Sequence, residues 1–339
     1  MPGAPRMTVP VGGVDRAGGL DTMVRQAVEQ RWPVDASTLD GICRYALVPT
    51  GKLFRPLLLV DSALAVGGDV DAVLPAAVGA ECGHVASLIH DDIIDGDDLR
   101  RGRPSVHRRF GVADAIVAGD ALIFDMFAGL AECADRGVAA DRVVSALESV
   151  ARAGLDLCRG QSLEAEICGG MAFDTDRYLT MVRLKTASFF RGACESGAIL
   201  GGGTPAQVRA LAAYGDRLGI AFQIHDDLLA YTSDTGVTGK PGTSDVQNGR
   251  LTLPVILAYH RAEPPEQVRI RAALAAPADA EAALATLRGL LSATGAVAAA
   301  VQIARGYATA SRDALRDVPR TPSRDRLVHI ADLAVDRDH

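Results

Sequence analysis

Apolar residues recur at helical spacing along most of the chain. From about residue 20 onward they return every three or four positions, which places them on one face of an α-helix. No segment shows the sustained alternation of apolar and polar residues that is typical of a strand, and no Asn-Gly turn separates two strand-like runs. The pattern therefore predicts an all-α protein.

Several predicted helices exceed the globular average of about 11–12 residues, and long antiparallel helices are typical of a bundle whose core can hold a site. The breaks between them are rich in Gly, Pro and polar residues, as in "LGGGTP" and "GVTGKPGTSDVQNG". The predicted helices cover about residues 20–32, 36–47, 52–66, 71–95, 112–134, 140–168, 174–200, 204–233, 252–262, 265–276, 279–292, 294–317 and 323–335.

The N-terminal segment lacks the apolar core of a signal peptide and is rich in Gly and Pro, so residues 1–19 are interpreted as a flexible leader. No repeat or linker divides the remainder, and residues 20–339 are predicted to form a single all-helical domain. No stretch approaches the roughly 18 uninterrupted apolar residues of a membrane span. The sequence therefore predicts no span.

Composition argues against several function classes. The net charge is -7 and the sequence pI is about 5.5, so no basic excess is available to neutralise nucleic-acid phosphates. An anionic ligand would need a local cluster of cations or a bound metal. The 6 cysteines contain no C-x-x-C pair and are interpreted as buried apolar residues in a reducing compartment, which predicts a cytoplasmic protein.

Two acidic clusters lie within predicted helices. In "HDDIIDGDD", Asp91 and Asp95 are one helical turn apart and Asp92 lies about 100° around from Asp91, so all three point into one wedge. In "FQIHDDLL", Asp226 and Asp227 follow Gln223 by one turn. Both clusters are set among bulky aliphatic residues, where unpaired carboxylates are costly. Something must therefore compensate their charge.

Mg²⁺ fits that need, because clustered carboxylate oxygens suit it and it accepts its remaining ligands from water and a substrate phosphate. Metal shared between two facing helices could hold a diphosphate as a leaving group. A His-Asp metallophosphohydrolase is an alternative, since His90 and His225 precede the two clusters. That alternative needs further histidines, and only His84 and His107 lie near in sequence.

Cationic side chains fall into two groups. Arg100 and Arg101 follow the first acidic cluster, Lys185 lies in an apolar helix, and Lys240 lies in a Gly-rich loop. These could share a metal-bound diphosphate.

The second group lies away from any acidic run. Lys52 and Arg55 in "GKLFRP" are three apart at a predicted helix start, where backbone N–H groups also attract anions. They predict a metal-free anion site. Two diphosphate substrates are the simplest interpretation.

Five ordered motifs resemble those of the trans-isoprenyl diphosphate synthases, or polyprenyl synthetases. They are "GKLFRP", "HVASLIHDDIIDGDDLRRGRPSVH", "GQSLE", "KTASFF" and "FQIHDDLLAYTSD…TGKPGTSD", and the resemblance runs from about residue 45 to 258. It implies an isoprenoid synthase-type helical bundle around a deep central cavity, and a homodimer. It also implies the head-to-tail joining of isopentenyl diphosphate to an allylic diphosphate, with three Mg²⁺ ions.

The resemblance also implies a role for each matching residue. Asp91, Asp95 and Asp226 correspond to Mg²⁺ ligands, supported by Asp92 and Asp227. The donors to the allylic diphosphate are Arg100, Lys185 and Lys240. The isopentenyl diphosphate site comprises Lys52, Arg55, His84 and Arg101. Polar groups near the developing allylic cation are Thr186 and Gln223.

The chain departs from the family pattern at two positions. Ala230 stands where the second motif usually has its last aspartate. Asp234 is a poor substitute, because on a continuing helix it would lie about 12 Å beyond Asp226, at ~1.5 Å per residue. Weakened metal binding is expected, with Asp226 keeping the direct contact. Arg250 stands where a lysine is common, which keeps the charge but not the geometry.

Bulk one turn before the first motif sets product length in this family. Ala86 and Ser87 occupy those positions and are small, whereas an aromatic would close the pocket at a farnesyl chain. Phe124 and Phe127 could form a deeper floor. Geranylgeranyl diphosphate is the expected product, followed by a longer polyprenyl chain and then farnesyl diphosphate.

Two other functions compete. A class I terpene cyclase would want an N/D-D-x-x-S/T-x-x-x-E pattern near residue 226, which is absent, and would not use Lys52 and Arg55. A non-catalytic subunit of a heteromeric synthase is supported only by Ala230.

Overall fold

The structure is a computed structural model and describes residues 16–33, 37–232, 243–275 and 277–335. Its first half contains helices α1 (Arg16–Arg31), α2 (Thr38–Leu47), α3 (Phe54–Ala65), α4 (Val70–Asp95), α5 (Val106–Phe110), α6 (Val112–Glu132) and α7 (Ala140–Gly169). A two-residue antiparallel ladder, β1 (Leu99–Arg100) with β2 (Arg103–Pro104), follows α4.

The second half begins with α8 (Thr175–Val182), a π-helical turn (Arg183–Ala187) and α9 (Ser188–Leu200), which form one continuous rod. It continues with α10 (Pro205–Thr232), α11 (Ser244–Gln247), α12 (Leu253–Arg261), α13 (Pro264–Leu274), α14 (Ala280–Ala293), α15 (Ala296–Ala314) and α16 (Pro322–Leu333).

The all-helical prediction is confirmed, with four local differences. α1 begins at Arg16, inside the predicted leader, and the rest of that leader lies outside the described residues. The short helices α5 and α11 were not predicted, because four or five residues carry no readable period. The two-residue β ladder was also not predicted, because two residues are too few to show an alternation of apolar and polar side chains. The predicted helix 174–200 contains the π-helical turn, which apolar spacing does not reveal.

The apolar core forms two clusters that share one long helix. The first surrounds α3, α4 and α6, and the second surrounds α12 to α15. α10 contributes Leu218 to the first cluster, and it contributes Ile224 and Leu228, which flank Asp226 and Asp227, to the second. The single domain over residues 20–339 stays a prediction.

Helix α4 is the central helix of the first cluster. Its length and composition would allow it to cross a membrane, but 61% of its apolar window is buried inside the protein. The pair α14 and α15 passes the same test only as one span bent by 74°. The apolar surface of α4 is therefore covered by neighbouring helices.

The cysteines follow the prediction in part. Cys43, Cys82, Cys133 and Cys194 are buried and all six thiols are free. Cys158 is exposed on α7, so the expectation of burial is wrong there.

Candidate active site

A deep cavity of about 830 Å³ opens between α3, α4, α7, α9 and α10. It brings together most of the residues that the sequence singled out. Asp92 and Ala86 do not line it, and Lys240 lies outside the described residues. The predicted residues on its wall are Lys52, Arg55, His84, Ser87, Asp91, Asp95, Arg100, Arg101, Lys185, Thr186, Gln223, Asp226 and Asp227.

The first acidic cluster divides between the cavity and the protein interior. Asp91 and Asp95 face the cavity, whereas Asp92 is 2% exposed. Arg100 on β1 donates from Nε to Asp92 Oδ1 at 3.0 Å, and a second contact from Nη2 completes the pair. Asp92 therefore neutralises and positions Arg100 at the cavity mouth.

The carboxylate of Asp91 is in a charged and largely desolvated setting. Burial raises its pKa, and the nearby carboxylates of Asp95 and Glu164 raise it further. The ammonium of Lys185 and the guanidinium of Arg250 act in the opposite direction. A cation bound beside Asp91 would offset the cost of its burial and favour the charged carboxylate.

Arg250 connects the first motif to a residue that sequence reasoning missed. It forms an ion pair with Asp95, and its Nη1 lies 3.3 Å from Asp245 Oδ1. Asp245, on α11, also lines the cavity. Its signal was present in "TSDVQNGR", where Asp245 precedes Arg250 by five positions.

The π-helical turn presents Lys185 and Thr186 to the cavity. Lys185 Nζ lies 2.5 Å from Glu164 Oε2 on α7. The turn packs directly on Gly160, where a Cβ atom would lie 2.3 Å from the backbone N of Lys185. π-Helical turns often mark functional sites. Gly160 and Glu164 both belong to "GQSLE". The carboxylate of Glu164 pairs with the ammonium of Lys185, and Gly160 allows the π-helical turn to pack closely against α7.

A chain of hydrogen bonds runs from Thr186 to the second acidic cluster. Thr186 Oγ1 donates to Gln223 Oε1 at 2.7 Å, and Gln223 Nε2 donates to Asp227 Oδ1 at 2.8 Å. Tyr178, which the sequence did not single out, donates from Oη to Asp227 Oδ2 at 2.6 Å. Asp227 thus fixes the amide orientation of Gln223 and leaves Asp226 as the exposed carboxylate.

Burial explains why the carboxylate of Asp227 is not available to bind a metal ion. Desolvation raises its pKa to about 7, and the carboxylates of Asp245 and Asp226 add to that effect. The hydrogen bonds from Tyr178 and Gln223 oppose it. Asp227 therefore accepts hydrogen bonds from neutral donors, and no cation is among the groups that shift its pKa.

A second stretch of the cavity wall is rich in positive charge. Burial lowers the pKa of the Arg55 guanidinium to about 10, which leaves it charged at neutral pH. Burial and the nearby cations of Arg55, Arg101 and Arg100 hold the pKa of His84 well below its usual value, so its imidazole is neutral. Lys52 is exposed at the rim.

Polar atoms on this wall lack partners within the described part of the chain. They are Arg55 Nε, His84 Nδ1 and Glu81 Oε1, the last on a side chain that is 1% exposed. Glu81 was missed by sequence reasoning because a single acid in an apolar helix carries no pattern. Buried polar groups are normally hydrogen-bonded. This wall is therefore built for a polar ligand.

The residues expected to limit chain length separate in the structure. Ser87 lines the cavity, whereas Ala86 is fully buried in the first core cluster, so the expectation that it faces the cavity is wrong. Neighbouring residues of a helix differ by about 100°, and that rotation turns Ala86 away. Phe124 is 73% exposed and cannot floor the cavity, while Phe127 packs against the core.

The carboxylate donors fit an open metal site. Among residues 16–33, 37–232, 243–275 and 277–335, no three His, Cys, Asp or Glu side chains are close enough to enclose an ion. Asp91, Asp95 and Asp226 instead offer oxygen ligands along one cavity. That donor set suits Mg²⁺, which is usually held by one or two carboxylates together with water and phosphate.

A helical bundle whose cavity combines clustered carboxylates with cationic side chains defines a class of enzyme that binds phosphate-bearing substrates together with metal ions. Comparison with known proteins places the chain within that class. The family model for polyprenyl synthetase matches residues 36–290. The chain belongs to the polyprenyl synthetase family, whose members are prenyltransferases.

Several relatives match along nearly their full lengths. The geranylgeranyl diphosphate synthase of Methanosarcina mazei is 33% identical, over 96% of this chain and 98% of the relative. The geranylfarnesyl diphosphate synthase of Natronomonas pharaonis is 35% identical, over 94% and 95% respectively. The polyprenyl synthase of Caulobacter crescentus, solved with calcium and isoprenyl diphosphate, is 32% identical with a TM-score of 0.87, covering 96% of each chain.

Proposed function

We propose that this enzyme joins isopentenyl diphosphate to an allylic diphosphate, head to tail, to give a linear all-trans prenyl diphosphate. The observation that carries the proposal is that one cavity contains two separate sets of groups suited to a diphosphate. Asp91, Asp95 and Asp226 would hold metal ions beside Lys185, whereas Arg55 and His84 can donate hydrogen bonds without a metal. Two anionic substrates could therefore bind together with their reacting carbons in between.

The reaction requires no dedicated side-chain base. The allylic C–O bond breaks and both of its electrons leave with the diphosphate. The double bond of isopentenyl diphosphate supplies the electron pair for the new C–C bond, and the proton lost from its C2 passes to the released diphosphate. Lys185 and Arg100 bind the departing anion, while the oxygens of Thr186 and Gln223 lie near the developing cation.

Asp91, Asp95 and Asp226 would hold Mg²⁺, with three ions expected per active site. When bound, Mg²⁺ supplies positive charge that stabilises the leaving diphosphate. Arg250 contacts Asp95 directly, so it would share that carboxylate with the metal. Ala230 lines the cavity but offers no carboxylate, and metal binding weaker than in a complete second motif is expected.

Geranylgeranyl diphosphate is the proposed product, with longer polyprenyl or farnesyl diphosphate as the alternatives. The small side chain of Ser87 on the cavity wall supports elongation beyond farnesyl. The two relatives above, named for geranylgeranyl and geranylfarnesyl synthesis, support the same range.

Three competing functions have less support. A metallophosphohydrolase would need several histidine ligands, but of His84, His90, His107 and His225 only His84 lines the cavity. His90 instead lies 3.7 Å from Asp120 on α6. A terpene cyclase would have no second diphosphate substrate for the cationic stretch of the cavity wall. A non-catalytic subunit would not need the diphosphate-binding side chains of the cavity.

Incubation with Mg²⁺, isopentenyl diphosphate and each allylic primer, followed by sizing of the products, tests the proposal. Elongation of at least one primer is expected. A hydrocarbon or alcohol formed from the primer alone would favour the cyclase. Failure to elongate any primer would contradict the proposal.

Ser87→Phe is expected to shorten the main product, because its ring would fill the cavity one turn below Asp91. Chromatographic sizing of the prenyl alcohols after phosphatase treatment measures the change. Ile94→Phe is the control, since Ile94 lies on the same helix, is 61% exposed and does not line the cavity. Equal product lengths in the two variants would mean that the chain does not pass Ser87.

We also propose a homodimer formed through α6. Val112, Ile116, Val117 and Phe124 expose 50%, 44%, 52% and 73% of their surface, which makes an apolar stripe on one helix. Such a stripe is typical of a protein–protein interface.

Isopentenyl and allylic diphosphates complete the expected partners, and no nucleic acid is among them. The free thiols support a cytoplasmic location.

Phe124→Asp is expected to produce monomers, because it places a charge at the most exposed residue of this stripe. Sedimentation equilibrium measures the change in mass. Val268→Asp on α13 is the control, since Val268 is 66% exposed but lies outside the stripe. A dimer that survives only in the control supports the interface, and two identical profiles would refute it.

A further inference from the structure

The tip of the short β-hairpin holds its backbone in an unusual conformation. β1 and β2 pair Arg100 with Arg103. The two residues between them, Arg101 and Gly102, have positive φ angles of 52° and 72°, as a type I′ turn requires. Glycine and asparagine are favoured at such positions, whereas an arginine is strained there. The fold therefore accepts local strain to place Arg101 at the tip of this hairpin.

The guanidinium of Arg101 lies directly against Gly51, in the loop between α2 and α3. A Cβ atom added to Gly51 would lie 2.6 Å from Nη2 and 3.0 Å from Cζ of Arg101. On the same loop, the carbonyl oxygen of Pro49 accepts a hydrogen bond from Arg101 Nη1 at 3.3 Å. Only glycine at position 51 therefore leaves room for the guanidinium where it now lies.

Further hydrogen bonds tie this loop to the hairpin and to α1. Arg103 donates from Nη1 to the carbonyl oxygen of Val48 at 3.2 Å and from Nη2 to that of Tyr45 at 2.9 Å. Arg25 on α1 hydrogen-bonds the hydroxyl of Thr50. The surface on which Arg101 rests is thus fixed by its own contacts.

Charge alone does not direct Arg101, which lines the substrate cavity among other cations. Burial lowers the pKa of its guanidinium, the carboxylate of Glu81 raises it, and Arg100 and Arg103 lower it further. Attraction to one buried acid is therefore opposed by repulsion from two neighbouring arginines. The contact with Gly51 supplies the direction that these opposing charges do not.

We propose that Gly51 is a positioning residue for isopentenyl diphosphate, and that it directs the guanidinium of Arg101 towards that substrate by leaving room for it against the loop. The inference rests on the proposed function and deepens it by assigning how one donor of the metal-free anion site is placed. A guanidinium held in one orientation presents planar donors that match phosphate oxygens. Gly51 acts through Arg101 in this arrangement.

Gly51→Ala is expected to raise the KM for isopentenyl diphosphate about tenfold or more, the loss typical of one charge-assisted hydrogen bond. The methyl group meets the end of a flexible side chain, so it displaces Arg101 and leaves the backbone in place. The KM for the allylic primer and the kcat should stay near those of the natural protein, because lost uniform binding raises KM alone. Initial rates with each substrate varied in turn, together with thermal unfolding, measure the effect.

Gly41→Ala on α2 is the matched control. Apart from its two chain neighbours and the nearby backbone of its own helix, no heavy atom lies within 4 Å of a Cβ atom placed at Gly41. The KM for isopentenyl diphosphate should stay unchanged in this variant. The same unchanged KM in Gly51→Ala would overturn the proposal.

A double-mutant cycle tests whether Gly51 acts through Arg101. Arg101→Asn removes the guanidinium and supplies a residue that tolerates positive φ, so the hairpin should be kept. Adding Gly51→Ala to Arg101→Asn should leave the KM for isopentenyl diphosphate at the value of Arg101→Asn alone. Multiplication of the two separate effects would show that Gly51 acts independently, and would contradict the proposal.

Arg103→Met keeps the test decisive if Gly51→Ala does not fold. It removes the donors to Val48 and Tyr45 and keeps an unbranched side chain, and Arg103 does not line the cavity. Release of the loop from the hairpin should raise the KM for isopentenyl diphosphate and leave that for the primer near its natural value. An unchanged KM in a folded Arg103→Met enzyme would overturn the proposal.

Calorimetric titration with isopentenyl diphosphate, without a primer, separates this inference from the proposed function. If the natural protein elongates no primer, the proposed function fails. If it elongates primers and Gly51→Ala binds isopentenyl diphosphate as tightly as the natural protein does, the positioning role of Gly51 alone is refuted.

Discussion

Asp91→Ala is expected to lower turnover by at least about 10²-fold, the loss typical when one group that stabilises transition-state charge is removed. Asp91 faces the cavity, and burial together with Asp95 and Glu164 raises its pKa. Alanine removes the proposed metal ligand and one of the carboxylates that interact with Lys185. Initial rates at saturating substrates and increasing Mg²⁺ measure the effect.

The control for this prediction is another acid close by in the sequence. Asp98→Ala removes a carboxylate that is paired with Arg108 outside the cavity, and its side chain is 67% exposed. Turnover near that of the natural protein is expected. Near-normal turnover of Asp91→Ala at saturating Mg²⁺ would contradict its assignment as a ligand.

Gly160→Ala is expected to lower turnover by about 10²-fold, the loss that a misplacement of about 1 Å can cause. The added methyl group would lie 2.3 Å from the backbone N and 2.7 Å from the Cα of Lys185, so the π-helical turn must shift. Because the turn carries Lys185 and Thr186, the cation and the hydroxyl move together. Steady-state kinetics and thermal unfolding of the same preparation measure both effects.

Gly154→Ala on the same helix separates local crowding from a general effect of alanine. Apart from its two chain neighbours and the nearby backbone of its own helix, no heavy atom lies within 4 Å of a Cβ atom placed at this position. Alanine there should keep turnover and raise the free energy of unfolding by about 0.5–1 kcal/mol, through helix propensity. Full activity of Gly160→Ala would show that the turn does not depend on close approach.

The helices and most of the cavity wall could be predicted because their signals are periodic or clustered. Asp91, Asp95, Asp226 and Lys185 occur within motifs, and the structure brings them to one cavity. The resemblance to polyprenyl synthetases, supported by those motifs, is confirmed by the family match over residues 36–290. Their individual roles stay predictions.

The remaining features depend on contacts between distant segments. Tyr178 meets Asp227 and Glu164 meets Lys185 only because α7, α8 and α10 pack together. The rotation of Ala86 into the core and of Phe124 towards solvent is set by the neighbours of each helix. Spacing along one helix cannot supply that information.

The stoichiometry of diphosphate release distinguishes head-to-tail condensation from hydrolysis or cyclisation of the primer. Diphosphate and prenyl products are quantified together, with farnesyl diphosphate as primer, in the presence and absence of isopentenyl diphosphate. The account predicts one diphosphate released for each isoprene unit added, and negligible release without isopentenyl diphosphate. Rapid release from the primer alone, with no elongated product, would contradict it.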